Sequence, residues 1–361
     1  MTNTSKNFRE LDQKPTIPHK AEIAESIFQK TGKVLLVEGP NDKTFIKRIL
    51  DEELNYHQQI KIHPLNDYFE KKCGNNSTNK IAQNDKEFYV GGFGRVNAKK
   101  AIIITIKRHA LEDKNKICSI KTIFYGIVDK DYDENDCDLQ KIKFNPNEDR
   151  EEYKKLNAID VVKEKKLIST DTNDLETMLF KYDFETIKKI CTEKGYSSEN
   201  TFVADSQFII DSACKLGYLR KVSHDKELEI DFKKLFHFQS PEDYEKYITN
   251  GEYDISRVFS DITNKRKSSI DLSKMPESFD SKEWFYCRGH DLTGILSSYF
   301  IFKKYGKGNN NDIIYEPGRS MTRRDVIRNT ESILIKEILE KTIIDQYKTS
   351  NVFKFLEGVV K

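Results

Sequence analysis

Lys33-Val34-Leu35-Leu36-Val37-Glu38-Gly39-Pro40-Asn41-Asp42 is the stretch whose reading decides the fold. It begins as an unbroken, β-branched-rich apolar run, the pattern of a parallel strand buried on both faces. Glu38 to Asp42 breaks that run, and Lys43 to Leu54 then places Phe45, Ile46, Ile49 and Leu50 at helical spacing. The rhythm repeats downstream. Glu87 to Val90 reads as a second strand ended by Gly91-Gly92, and Arg95 to Ala110 as a basic amphipathic helix. Thr122 to Val128 reads as a third strand running straight into Asp129-Lys130-Asp131-Tyr132-Asp133, and Lys166 to Ile168 as a possible fourth. Strand, helix, strand, helix, strand predicts a parallel sheet with right-handed crossovers, whose strand C-termini share one edge. Ligands of open α/β sheets bind at that edge. Glu38 and Asp129 each follow an apolar strand by one residue, so both are expected to face the same crevice.

The 361 residues suggest about two domains. The organisation expected is a polar leader over 1–20, an α/β domain over 21–185 and a mainly helical region over 186–361. Within the last, Ser206–Gly217, Asp291–Lys304 and Asp325–Tyr347 carry helical periodicity. Lys71 to Lys86 reads as a solvated loop. Charged residues make up 33%, yet 22 Phe and 17 Tyr supply surface for cores, which argues against a disordered chain. The longest aliphatic run, Ala101 to Ile106, falls far short of the roughly 20 residues that cross a bilayer. No apolar h-region precedes a cleavage site, and the 6 cysteines form no CxxC pair or zinc-finger spacing. Reduced thiols in a cytoplasm are expected. A net charge of +2 decides nothing about partners.

The acidic segments carry the chemistry. A P-loop would place a second Gly before Lys43, where Asp42 stands, and two carboxylates in a phosphate cradle would repel their ligand. The loop suits a divalent cation instead. Asp129-Lys130-Asp131 offers hard-cation ligands too. An EF-hand fails at Glu134, where the turn needs Gly, and at Gln140, where a bidentate Glu belongs. A haloacid-dehalogenase phosphatase carries its Asp-x-Asp after the first strand, and a glycosyltransferase Asp-x-Asp stays open on these residues alone. Asp174-Leu175-Glu176 adds two further acids. The plain alternative for any single acid is a helix cap or a solvated side chain.

Together, Val37 to Asp42 and the strand ending in Asp129-Lys130-Asp131 resemble a Toprim domain, the Rossmann-like fold of topoisomerases, bacterial primases, the ribosomal-RNA maturase M5 and the overcoming-lysogenization-defect nucleases. Asp174-Leu175-Glu176 and Arg288-Gly289-His290-Asp291-Leu292 resemble the Toprim branch that includes AriB-like effectors of PARIS anti-phage systems. The resemblance implies a parallel sheet flanked by helices, a helical C-terminal extension and a metal-dependent nuclease. It implies Glu38 as metal ligand or general acid–base group, Asp42, Asp129 and Asp131 as metal ligands, and Glu176 with Asp174 as the last acids. His290 and Arg288 stand where related nucleases use a lysine. A pair of Mg²⁺ or Mn²⁺ ions would serve phosphodiester cleavage. The implied substrate is RNA, most of all transfer RNA, cleaved to arrest translation. The implied partners are an ABC-type ATPase that holds the effector inactive and a second copy of the chain. A DNA nuclease of the overcoming-lysogenization-defect type, a small-substrate Asp-x-Asp enzyme, and a silent Toprim module docked on an ATPase remain as alternatives.

For nucleic acid, the basic candidates are Lys265-Arg266-Lys267, the arginine-rich stretch Arg319, Arg323, Arg324 and Arg328, and Lys99, Lys100 and Lys107 on the first basic helix. Each is otherwise a solvated face. Gly91-Gly92-Phe93-Gly94 reads as a turn, Trp284-Phe285-Tyr286 as a buried aromatic cluster or a stacking platform, and the cysteines as core. His290 reads equally as an electrophile or a structural hydrogen-bonder.

Overall fold

The computed structural model of the chain describes residues 31–56, 60–65, 87–90, 94–114, 121–131, 151–195, 199–225, 248–249, 252–253, 286–306, 312–316 and 318–361. The leader over 1–20, the loop over 71–86, Gly91 to Phe93, Lys265-Arg266-Lys267, Trp284 and Phe285 lie outside the described residues.

These residues divide into two compact units, one within Met1–Asp129, Asp133–Thr170 and Lys348–Lys361, the other within Lys130–Tyr132 and Asp171–Tyr347. The first is built on a parallel sheet of β1 (Thr31–Val37), β2 (Ile60–Pro64), β5 (Lys121–Val128) and β6 (Leu167–Ser169), in the order β2-β1-β5-β6. β1 is central and its Val34, Leu35, Leu36 and Val37 are all buried, as an apolar run covered on both faces requires. Helix α1 (Pro40–Arg48) follows β1 and continues as a wider turn over Ile49–Glu53. Helix α2 (Ala98–Lys114) leads into β5. Ile102, Ile104 and Ile106 of α2 share one core with Val34, Leu36, Phe124, Val128 and Leu167 of the sheet. Gly126 permits this approach, because a Cβ there would stand 2.4 Å from Ile106 Cδ1 and 2.8 Å from Ile102 Cγ2.

The expected second sheet strand is corrected. Glu87–Val90 (β3) is a strand, but it pairs antiparallel with β4 (Gly94–Asn97), and the sheet neighbour of β1 is Ile60–Pro64. The basic helix also loses its solvated face. Lys99 and Lys107 are buried, and the Lys107 ammonium donates to the Leu156 carbonyl at 3.3 Å, beside helix α3 (Glu151–Asn157).

The sheet unit closes with residues the sequence reading places in the helical region. Helix α9 (Asn351–Val360) belongs to this unit, where Lys33 Nζ donates to the Val359 carbonyl and Phe355 meets Tyr125 edge-on at 6.2 Å. A lysine at the last carbonyls of a helix satisfies acceptors that have no partner within it.

The second unit is mainly helical: α4 (Leu175–Tyr182), α5 (Phe184–Glu193), α6 (Glu199–Asp225), α7 (Gly289–Tyr305) and α8 (Arg323–Lys341), with short pairs β7 (Ile248–Thr249) and β8 (Glu252–Tyr253), and β9 (Ile313–Glu316) and β10 (Arg319–Thr322). The helix expected over 325–347 stops at Lys341. Thr342 is extended there because Asp183, the N-cap of α5, accepts both its hydroxyl at 2.8 Å and the Ile343 amide at 2.6 Å. No helix among the described residues is long and apolar enough to cross a membrane.

Candidate functional site

In the sheet unit, β1 and β5 are adjacent and parallel, with Leu36 opposite Gly126, so their following residues emerge together. Glu38 Oε1 accepts the Asp129 amide at 2.9 Å, and both side chains are half-buried. Two acids predicted from separate apolar runs, 91 residues apart, therefore meet at the C-terminal edge of the sheet. Asp42 lies in the first turn of α1 and reaches back, its Oδ2 accepting the Gly39 amide at 2.7 Å. With Pro40 at the first helical position, this fixes how the chain leaves β1 and enters α1.

In the second unit, Asp131 has φ +52°, a left-handed conformation that aspartate tolerates better than most residues, and its amide donates to the Asn173 carbonyl at 2.8 Å. Asp174 caps α4. Its Oδ1 accepts the Thr177 amide at 2.9 Å and the Thr177 hydroxyl at 2.7 Å, and the Gly289 amide lies 2.9 Å from Oδ1 and 2.8 Å from Oδ2. The carboxyl is 4% exposed. Burial raises its pKa, helped by the neighbouring Glu176 charge; the Thr177 hydrogen bonds and His290 pull the other way. Glu176 is buried in the same first turn, and His290 is exposed in the first turn of α7. Asp174 is thus close enough to Glu176 and His290 to feel their charges.

Gly289 makes this packing possible. A Cβ on it would lie 2.2 Å from Glu176 Cβ and 2.5 Å from Asp174 Oδ1. The next residue but one is anchored as firmly: Arg220 of α6 grips Asp291 through both carboxylate oxygens, Nε at 2.7 Å and Nη2 at 2.8 Å. The Asn173 amide donates to the Cys287 carbonyl at 2.9 Å, tying the loop before α4 to the residues before α7. The sequence reading quoted Arg288-Gly289-His290-Asp291 without assigning Gly289 or Asp291 a part, and it missed Arg220 and Asn173. A small residue and an acid before an apolar helix is the available signal for the first two; nothing local marks a partner on another helix.

Of the basic candidates, Arg319 and Arg328 are exposed and Arg324 is half-buried. Arg323 is 3% exposed and donates through Nη1 to the Gly306 carbonyl at 3.0 Å, so its guanidinium holds the protein's own backbone. Cys191, Cys214 and Cys287 are buried thiols outside any disulfide, and burial pushes the pKa of Cys191 and Cys287 upward, as expected of core residues.

Oxygen donors alone, as Glu38, Asp42 and Asp129 supply, match the chemistry of Mg²⁺ or Mn²⁺. Among the described residues, no group of three or more His, Cys, Asp or Glu side chains converges on a cation-sized position. Comparison with protein-family models, curated proteins and solved structures finds no match. What the fold and site define together is an α/β protein: a parallel four-stranded sheet flanked by helices, with acids at its C-terminal edge and a helical second unit.

Proposed function

We propose that the chain is a Toprim-type, metal-dependent phosphodiesterase that cleaves RNA, with transfer RNA as the preferred class, as the effector of an anti-phage system. The observation that carries the reading is the meeting of Glu38 and Asp129 at the ends of adjacent parallel strands. The sequence resemblance supplies the rest. By that resemblance the ligands of a divalent cation would come from Glu38, Asp42 and Asp129, with Asp131 and Glu176 as further acids, although these side chains do not converge on one cation-sized position among the described residues. When bound, such a cation neutralises phosphate charge and lowers the pKa of its water.

The protein's own groups then divide the work. The hydrogen bond from the Asp129 amide holds the Glu38 carboxylate at the sheet edge, where by the resemblance it would serve as a cation ligand or as the general acid–base group. Asp42 sets the β1–α1 turn that presents Glu38. Asp174 holds the first turn of α4, and with it Glu176, through its bonds to Thr177 and Gly289. By the same resemblance, an ABC-type ATPase holds the effector inactive until infection releases it, and the active form is a homodimer.

The test is cleavage of total RNA, purified transfer RNA and plasmid DNA with Mg²⁺ or Mn²⁺, alone and after co-expression with a candidate ATPase, together with Mn²⁺ binding followed by electron paramagnetic resonance. Glu38→Gln and Asp129→Asn are expected to lose at least about 100-fold in RNA cleavage and to weaken Mn²⁺ binding. Cleavage of DNA alone would move the protein to a DNA-directed reading. Wild-type rates in both variants would overturn the assignment of these acids.

A further inference from the structure

Asn173 lies in the loop between β6 and α4, yet it is 2% exposed. A loop residue taken out of water must find its hydrogen bonds within the protein. Asn173 finds them in two different segments of the second unit. Its side-chain amide donates to the Cys287 carbonyl at 2.9 Å, and its backbone carbonyl accepts the Asp131 amide at 2.8 Å. Both are well-formed bonds. One residue therefore joins the segment before α7 to the turn that carries Asp131.

The Cys287 side of this link is fixed by α6. A Cβ on Gly217 would collide with the Tyr286 carbonyl, and the Tyr218 and Tyr286 rings stand 5.6 Å apart. On the far side of Cys287, Arg220 grips Asp291 through both carboxylate oxygens. The Cys287 carbonyl also accepts the Thr177 hydroxyl at 3.3 Å. The Asp131 side is where the backbone needs holding, because φ +52° is a conformation that residues other than glycine seldom take. A rigid helix, an amide and a carbonyl thus act in series on the Asp131 backbone. The side chain in the middle has to donate: an ionised aspartate there could only accept, and an alanine offers nothing.

We propose that Asn173 is a positioning residue for Asp131: anchored through its side chain on the Cys287 carbonyl, it holds the Asp131 amide and keeps the second acid of Asp129-Lys130-Asp131 in its left-handed turn. The inference rests on the nuclease reading for the use of that acid, and it adds a residue that no acidic motif marks. In this role Asn173 acts through Asp131 and not on the substrate.

The experiment follows two quantities on the full chain, hydrogen exchange of the Asp131 amide and Mn²⁺ binding by electron paramagnetic resonance, with RNA and DNA cleavage in parallel. Asn173→Ala is expected to speed exchange at Asp131 by at least about tenfold and to weaken Mn²⁺ binding about tenfold, the scale of losing a group that orients a ligand. Asp131→Asn, whose side chain still tolerates the left-handed turn, is expected to keep the slow exchange and yet lose Mn²⁺ affinity. Thr342→Val strips a buried hydroxyl from Asp183 in the same unit and is expected to leave both quantities within about twofold, which tells loss of the anchor from general loosening. Wild-type exchange and affinity in Asn173→Ala, beside a wild type that binds Mn²⁺ and cleaves, would overturn the inference and leave the nuclease standing. Equal changes in Thr342→Val would overturn it too, as would faster exchange in Asn173→Ala with Mn²⁺ affinity unchanged. If Asn173→Ala does not fold, the wild type alone decides: an Asp131 amide that exchanges as fast as an open loop overturns the anchor. A wild type that neither binds Mn²⁺ nor cleaves would sink the nuclease reading and, with it, the part given to Asp131.

Discussion

The acids of the two units live under opposite conditions. Glu38 and Asp129 are half-buried at a sheet edge, where the Asp129 backbone amide donates to the Glu38 side chain. Asp174 is buried, and the Thr177 and Gly289 donors occupy both its oxygens. A carboxylate of the first kind can exchange a hydrogen bond for a cation or a substrate proton at small cost. One of the second kind is part of the scaffold, since removing it strands buried donors. Residue type alone does not separate an acid at a half-open edge from one built into the scaffold; burial does.

The contrast breaks most visibly at Arg220. Arg220→Met leaves the Asp291 carboxylate buried without its guanidinium and is expected to cost about 3–5 kcal/mol, read from urea unfolding. A cost below about 1 kcal/mol would mean that the pair is solvated. Asp174→Ala is next, at about 2–4 kcal/mol, because the Gly289 and Thr177 amides lose their acceptor and α4 its cap.

Lys107 extends the comparison to a buried cation of the sheet unit. Burial lowers its pKa from 10.5 to about 8, against the opposing pull of Asp160. Between these values the unfolded chain holds the extra proton, so stability should rise as pH climbs from about 8 to 10.5. The gain is on the order of 1–2 kcal/mol after allowing for solvent screening, and Lys107→Met should abolish it in unfolding titrations across that window. Glu38→Gln is expected to make the smallest difference to stability, within about 0.5 kcal/mol, since an amide oxygen still accepts the Asp129 amide. The same variant is the one expected to lose most activity. A large stability loss there would erase the distinction between the two kinds of acid.

The sheet edge was legible because it is written locally. Val34 to Val37 and Thr122 to Val128 are apolar runs, and each is followed at once by an acid. β2 was not, because Ile60-Lys61-Ile62-His63-Pro64 is short and half polar, and the more apolar Glu87 to Val90 drew the assignment. The coupling of Asp174 to Gly289 spans 115 residues, and that of Arg220 to Asp291 spans 71. Sequence periodicity reports the face of a helix and not its neighbour. Arg323 shows the same limit, since an arginine-rich stretch gives no sign of which guanidinium turns inward to Gly306.

Lys33 and Val359 stand 326 positions apart, yet they meet in one unit. The central strand of the sheet thus waits for the last helix, and the second unit must be translated in between. A contact of such range adds a loop-closure penalty before it contributes any stability, which places α9 late in folding. On the ribosome, the sheet that carries Glu38 and Asp129 would stay without this helix until synthesis has passed residue 360. A chain stopped at Tyr347 would carry Glu38 and Asp129 on a sheet that lacks its closing helix.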